Sequence, residues 1–101
     1  MAQYECGDAW VIVAVGEYDM DSIKPLTEAL TTAAAQHPKV VLDTSGVTFA
    51  DSSFLNLILI GHRATALHVA APRPQLRRLL EVTGTDAILQ VRATVEEAAG
   101  S

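Results

Sequence analysis

The chain has 101 residues, half of them hydrophobic but only 5% aromatic, and a formal net charge of −5. That length suits one domain with one core, so a single domain over residues 1–101 is expected, built on Val, Leu, Ile and Ala. Acidity, with no basic cluster beyond Arg77-Arg78, argues against nucleic acid, whose phosphates require concentrated positive charge. The single cysteine, Cys6, rules out an internal disulfide, and a cytoplasmic location is the expectation.

The N-terminus carries no basic start followed by an apolar stretch, so no signal peptide is expected. The apolar run Phe54 to Ile60 is too short to cross a bilayer, so no membrane insertion is expected either.

In chain order, Gln3 to Cys6 fits a short edge strand and Gly7-Asp8 a turn. Ala9 to Val15, AWVIVAV, is a β-branched run of the kind buried on both faces of a sheet. Gly16-Glu17-Tyr18-Asp19 is expected to break it. A helix should follow from Asp21-Ser22, with Pro25 in its first turn and Ile23, Leu26, Leu30 and Ala33 on one face. His37-Pro38 ends it. Val40 to Leu42 reads as a second buried strand, and Asp43 to Ala50 as a polar loop around Gly46.

A second helix is predicted after Asp51, running to about Ala64. Leu67 to Ala71 follows as a short strand closed by Pro72 and Pro74. Gln75 to Thr83 is an amphipathic helix that Gly84 stops. Ile88 to Val91 fits a last strand, and Thr94-Val95-Glu96-Glu97 a capping box that opens a final helix. This alternation predicts an α/β layer whose mixed sheet starts with one antiparallel hairpin and continues through parallel crossovers.

The stretch Asp51-Ser52-Ser53 has two compatible readings. Asp and Ser cap helices by accepting hydrogen bonds from free first-turn N–H groups. A serine at such a helix start is also open to a partner, and phosphorylation would add a charge of about −1.5 to −2 beside Asp51. Ser52 is not a self-sufficient nucleophile. The nearest following histidine, His62, is about 15 Å up the same predicted helix at the usual rise per residue. His37 is read as complementing a helix end and His68 as a structural strand residue. No His, Cys or carboxylate set has metal-ligand spacing, and no phosphate-cradling glycine loop is present. An enzyme is therefore not expected.

Two further readings concern surfaces. Phe54 and Leu57 either belong to a helix buried on most sides or form an exposed apolar patch suited to docking. If the strands preceding Gly16 and Thr44 are neighbours, Tyr18 and Asp19 lie beside Ser52, at the strand ends where partners gather.

The series G-E-Y-D, V-V-L-D-T-S-G-V-T-F-A-D-S-S and A-P-R-P-Q-L-R-R-L-L-E-V-T-G resembles the STAS domain, with bacterial anti-sigma factor antagonists as the nearest type. The resemblance covers essentially the whole chain. It implies an α/β fold with a mixed sheet of four to five strands and helices mainly on one face. It also implies partner switching: the unphosphorylated antagonist binds an anti-sigma factor that is itself a serine kinase, which frees a sigma factor. Phosphorylation on the first serine after the aspartate ends the binding; a phosphatase is a further expected partner.

Carried onto this chain, the phosphoacceptor is Ser52, flanked by Asp51 and Ser53, with Asp19 as the loop aspartate near the site; with Tyr18, Phe54 and Leu57 from the surface readings, these residues form the expected partner-binding set. No cofactor or metal is implied, since the ATP belongs to the kinase. The alternative implied role is an accessory STAS subunit that docks on a cytoplasmic component of a membrane transport system without phosphorylation. Two departures stand out. Phe54 occupies a position that is commonly glycine, and the segment from the Asp51 helix to Ala71-Pro72 is several residues short. A short hinge favours strand exchange between chains, so a homo-oligomer is a further expectation.

Overall fold

The computed structural model describes every residue from Met1 to Ser101. Strands β1 (Gln3–Cys6), β2 (Ala9–Tyr18), β3 (Lys39–Ala50), β4 (Ala66–Ala70) and β5 (Gln90–Arg92) lie side by side in sequence order. β1 and β2 form the antiparallel hairpin, and every later pair is parallel. The helices are α1 (Lys24–Gln36), α2 (Ser52–Ala64), α3 (Pro74–Val82) and α4 (Val95–Ala99). Each parallel pair is linked through a helix, as geometry requires.

Alternation along the strands divides the core in two. Ile12, Val40, Leu42, Leu67 and Val69 face one side, where Leu26 and Leu30 of α1, Phe54 and Ile58 of α2, and Leu76 and Leu80 of α3 cover them. Ala9, Val11, Val41 and Ala70 face the other side, where Ala98 of α4 meets them. The expected arrangement of a mixed sheet with helices mainly on one face is what forms.

The strands around the helix starts are longer than the sequence pattern predicts. β2 does not break at Gly16. Gly16 takes a φ of +99°, which glycine alone adopts cheaply, and the strand continues to Tyr18. Asp43 to Ala50 is likewise strand rather than loop. The two extensions pair with each other from Val15↔Gly46 to Tyr18↔Ala50, with register shifts at Val13/Val15 and Gly16/Glu17. Those irregularities disturb the two-residue alternation by which a strand is recognised.

Three smaller boundaries also move. α1 starts at Lys24 rather than Asp21-Ser22, because Asp19 and Ser22 close a separate turn just before it. Ala71 leaves β4 at a φ of +53°. A 3₁₀ turn, Thr85–Ala87, takes up Ile88's side of the connection, so β5 begins at Gln90.

The short link after α2 is tied to the segment between α1 and β3. Only Thr65 separates α2 from β4, and its hydroxyl donates to the His37 carbonyl at 3.0 Å while Ala66 N–H donates to the Pro38 carbonyl at 3.2 Å. Gly61 makes the tight approach feasible. A Cβ there would stand 2.8 Å from Leu30 Cδ2 and 3.0 Å from Leu67 Cδ2.

Candidate functional site

The parallel pairing of β2 and β3 brings the two candidate loops together. Tyr18 and Ala50 are register partners, and Asp51 N–H donates back to the Tyr18 carbonyl at 3.3 Å. Tyr18-Asp19 and Asp51-Ser52-Ser53 therefore leave the same end of the sheet from neighbouring strands, as the sequence suggested.

Asp51 is the N-cap of α2. Its backbone is extended, and its Oδ1 accepts from Ser53 N–H at 2.8 Å. Its carbonyl accepts from Phe54 and Leu55 N–H, so the helix ladder starts from this residue. Ser52 is the first helical residue and is exposed. Its hydroxyl takes part in none of the side-chain hydrogen bonds that shape the neighbourhood. The cap is thus assigned to the aspartate, which leaves the Ser52 Oγ unengaged at the positive end of a helix.

Asp19 organises the adjoining turn. Its Oδ1 accepts from Asp21 N–H at 2.9 Å, from Ser22 N–H at 3.0 Å and from the Ser22 hydroxyl at 3.0 Å. Those bonds, that of the Ser22 hydroxyl foremost, hold the exposed Asp19 carboxyl below its ordinary value of 3.8. The residue is therefore charged at neutral pH, with its carboxylate oriented by its own turn.

Three of the expected partner-binding residues are not surface residues. Phe54 is 0% exposed and Leu57 4%, so both belong to the core and no exposed apolar patch forms from them. Phe54 fills the space between β2, β3 and the helices, with its ring centroid 5.5 Å from that of Tyr18 at a 49° tilt. Tyr18 is itself 7% exposed, and its phenol oxygen accepts from Val15 N–H at 3.1 Å, inside the irregular end of β2. Tyr18, Phe54 and Leu57 correct the docking face to residues around them. Asp19 and Ser52 are exposed, while Asp51 and Ser53 are half-buried.

Sequence reasoning missed the apolar residues that do reach the surface here. Met20 is 77% exposed and Ile60 54% exposed. They flank an open groove between α1 and α2 that Ser53, Asn56 and Leu57 also line. Ile60 falls off both apolar faces of the α2 helical wheel, a signal available in the sequence. Met20, in an irregular turn, had none.

The histidines lie away from Ser52. His37 is the C-cap of α1, its N–H donating to the Ala33 carbonyl at 2.9 Å, and its ring stacks on Trp10 at 4.7 Å and 3°; His62 is exposed near the far end of α2. His68 is buried in β4, and its Nδ1 has no hydrogen-bond partner. Burial, then the charges of Lys39 and Arg92, push its imidazole below 6.5, against the influence of the Ala98 backbone. No group of three or more His, Cys, Asp or Glu side chains converges as a metal site, and no helix is long and apolar enough to cross a membrane.

The family model described as Mlab, STAS domain matches residues 1–91. Among solved structures, an anti-sigma factor antagonist from Mycobacterium paratuberculosis is similar at 26% identity and a TM-score of 0.90, over 98% of this chain and 89% of that one. An anti-sigma-factor antagonist (STAS) domain protein from Planctomyces limnophilus shares the fold at 23% identity and a TM-score of 0.85, over 97% and 92%. The STAS domain of a SulP transporter from Vibrio cholerae shares it more loosely, at 13% identity and a TM-score of 0.67, over 90% and 77%. No curated protein matches the chain in sequence.

Proposed function

Because the chain belongs to the STAS family, we propose that it is a non-enzymatic switch of the anti-sigma factor antagonist type, with Ser52 as its phosphoacceptor. The observation that carries this reading is the division of labour at the start of α2. Asp51 caps the helix, so Ser52 is fixed in space yet its hydroxyl is unengaged and exposed. The name of the Mycobacterium paratuberculosis neighbour supports it.

In this reading the unphosphorylated protein docks on an anti-sigma factor with serine kinase activity and frees a sigma factor. The docking face comprises Asp19, Met20, Ser52, Ser53 and Ile60. The kinase supplies ATP and the chemical step. The added phosphate brings about −1.5 to −2 charge to the residue next to Asp51, at the sheet end that the Asp19 turn shares. The helix N-terminus favours that charge locally, but a partner fitted to a neutral hydroxyl meets a cluster of negative charge and is released. A phosphatase would reset the protein. Such a switch works in the cytoplasm.

A second reading is an accessory subunit docked on a cytoplasmic component of a membrane transport system, without phosphorylation. The resemblance in fold to the STAS domain of a SulP transporter favours it.

Affinity capture with the wild-type protein and with Ser52→Asp separates the two. The switch reading expects the wild type to retain a serine kinase that Ser52→Asp does not. Retention of a transporter ATPase by both proteins, with no kinase, would establish the second reading instead.

A further inference from the structure

β3 outruns its neighbour on one edge. β4 pairs with β3 only from Lys39 to Asp43, yet β3 continues to Ala50. On the β2 side Ala50 is paired with Tyr18. On the other side, the Gln75 side chain takes the place of a strand. Ala50 N–H donates to Gln75 Oε1 at 3.1 Å, and Gln75 Nε2 donates to the Ala50 carbonyl at 3.0 Å. A primary amide presents one acceptor and one donor side by side, as a peptide unit does, so it satisfies both backbone groups of one residue.

Gln75 is the second residue of α3, a helix anchored in the core by Leu76 and Leu80. Ala50 directly precedes the Asp51 cap. The path from the α3 anchor to Ser52 thus runs through two side-chain hydrogen bonds and two peptide units.

We propose that Gln75 is a positioning residue that clamps the end of β3, fixes the backbone from which Ser52 is presented, and couples α3 to that serine. The consequence for phosphate transfer rests on Ser52 being the phosphoacceptor. The clamp itself does not.

Amide hydrogen exchange by NMR on the full chain tests the clamp without any partner. Gln75→Leu removes both bonds at similar volume. Protection of the Ala50, Asp51, Ser53 and Phe54 amides should fall about tenfold or more relative to that of Val11, Ile12, Val41 and Leu42, given two lost bonds of ordinary strength. Gln75→Glu supplies a chemical control. Its carboxylate can accept but not donate, so local protection should be low at pH 7 and recover near pH 4, where the protonated acid regains a donor. A uniform loss across the sheet, unchanged protection at Ala50–Phe54, or no recovery on acidification would overturn the clamp.

The functional arm uses the kinase captured by the wild-type protein. Gln75→Leu should take phosphate on Ser52 several-fold more slowly, and an unchanged rate would overturn the coupling. A wild-type protein that takes no phosphate would overturn the phosphoacceptor reading alone, leaving the clamp to stand or fall on the exchange data.

Discussion

Tyr18 and Phe54 meet ring to ring, centroids 5.5 Å apart, directly under the loops that present Asp19 and Ser52. The contact joins the last residue of β2 to the first turn of α2. It makes Phe54 a support of the serine's platform rather than part of its surface.

Phe54→Ala should therefore destabilise the whole protein, by about 3–5 kcal/mol, as loss of a buried phenyl ring usually does. Urea unfolding measures this. A loss below about 1 kcal/mol would contradict the buried position, because surface changes fall in that range.

Asp51 and Ser52 should separate cleanly in stability. Asp51→Ala removes the cap on Ser53 N–H and should cost about 1 kcal/mol. Ser52→Ala removes a hydroxyl that holds nothing in place and should change stability by less than about 0.5 kcal/mol. Thermal and urea unfolding of the two variants checks both values. Equal costs would mean that the serine shares the capping role.

Much of this site was legible in the sequence, because its elements follow local rules. The Asp51-Ser52-Ser53 start of α2 and the buried run of β2 stand on capping chemistry and β-branched patterning. The extensions of β2 and β3 were not legible. Gly16 and the polar Asp43-Thr44-Ser45 read as loop, and only pairing with each other makes them strand. Phe54 was ambiguous for a related reason. Its burial depends on Tyr18 and on how α2 packs against α1 and the sheet, which no window of α2 alone records. Gln75 left no local trace, since its partner Ala50 lies 25 residues away.

His68 predicts a pH dependence. Its folded value lies below 6.5 because burial and the Lys39 and Arg92 charges oppose protonation. Between the two values the unfolded chain binds more protons, so stability rises with pH there. The contribution is complete above about pH 6.5 and is lost progressively as pH falls through that value toward the folded one. Asp19 adds a second loss only at more acid pH. Its folded value lies below 3.8, so its contribution is full above that and disappears as the carboxylate is protonated. Urea unfolding at pH 7.5 and 5.5 should show a decline in the wild type that His68→Gln reduces. An identical decline in the variant would contradict the assignment to His68.

Gly61 sets the distance between α2, α1 and β4. Gly61→Val inserts methyl groups where a single Cβ already meets Leu30 and Leu67. Overpacking of this kind costs about 1–3 kcal/mol, more than the modest helix-propensity gain over glycine returns. A lowered unfolding midpoint is expected, and an unchanged or raised one would show that the leucines repack freely.

The proposed switch depends on Ser52 receiving a phosphate from a bound partner. The most direct measurement is phosphosite mapping by mass spectrometry, after the protein is incubated with ATP and the serine kinase it captures. One phosphate is expected, on Ser52, absent in Ser52→Ala and accompanied by release of the kinase. A phosphate confined to another residue, or none on a protein that still holds the kinase, would contradict it.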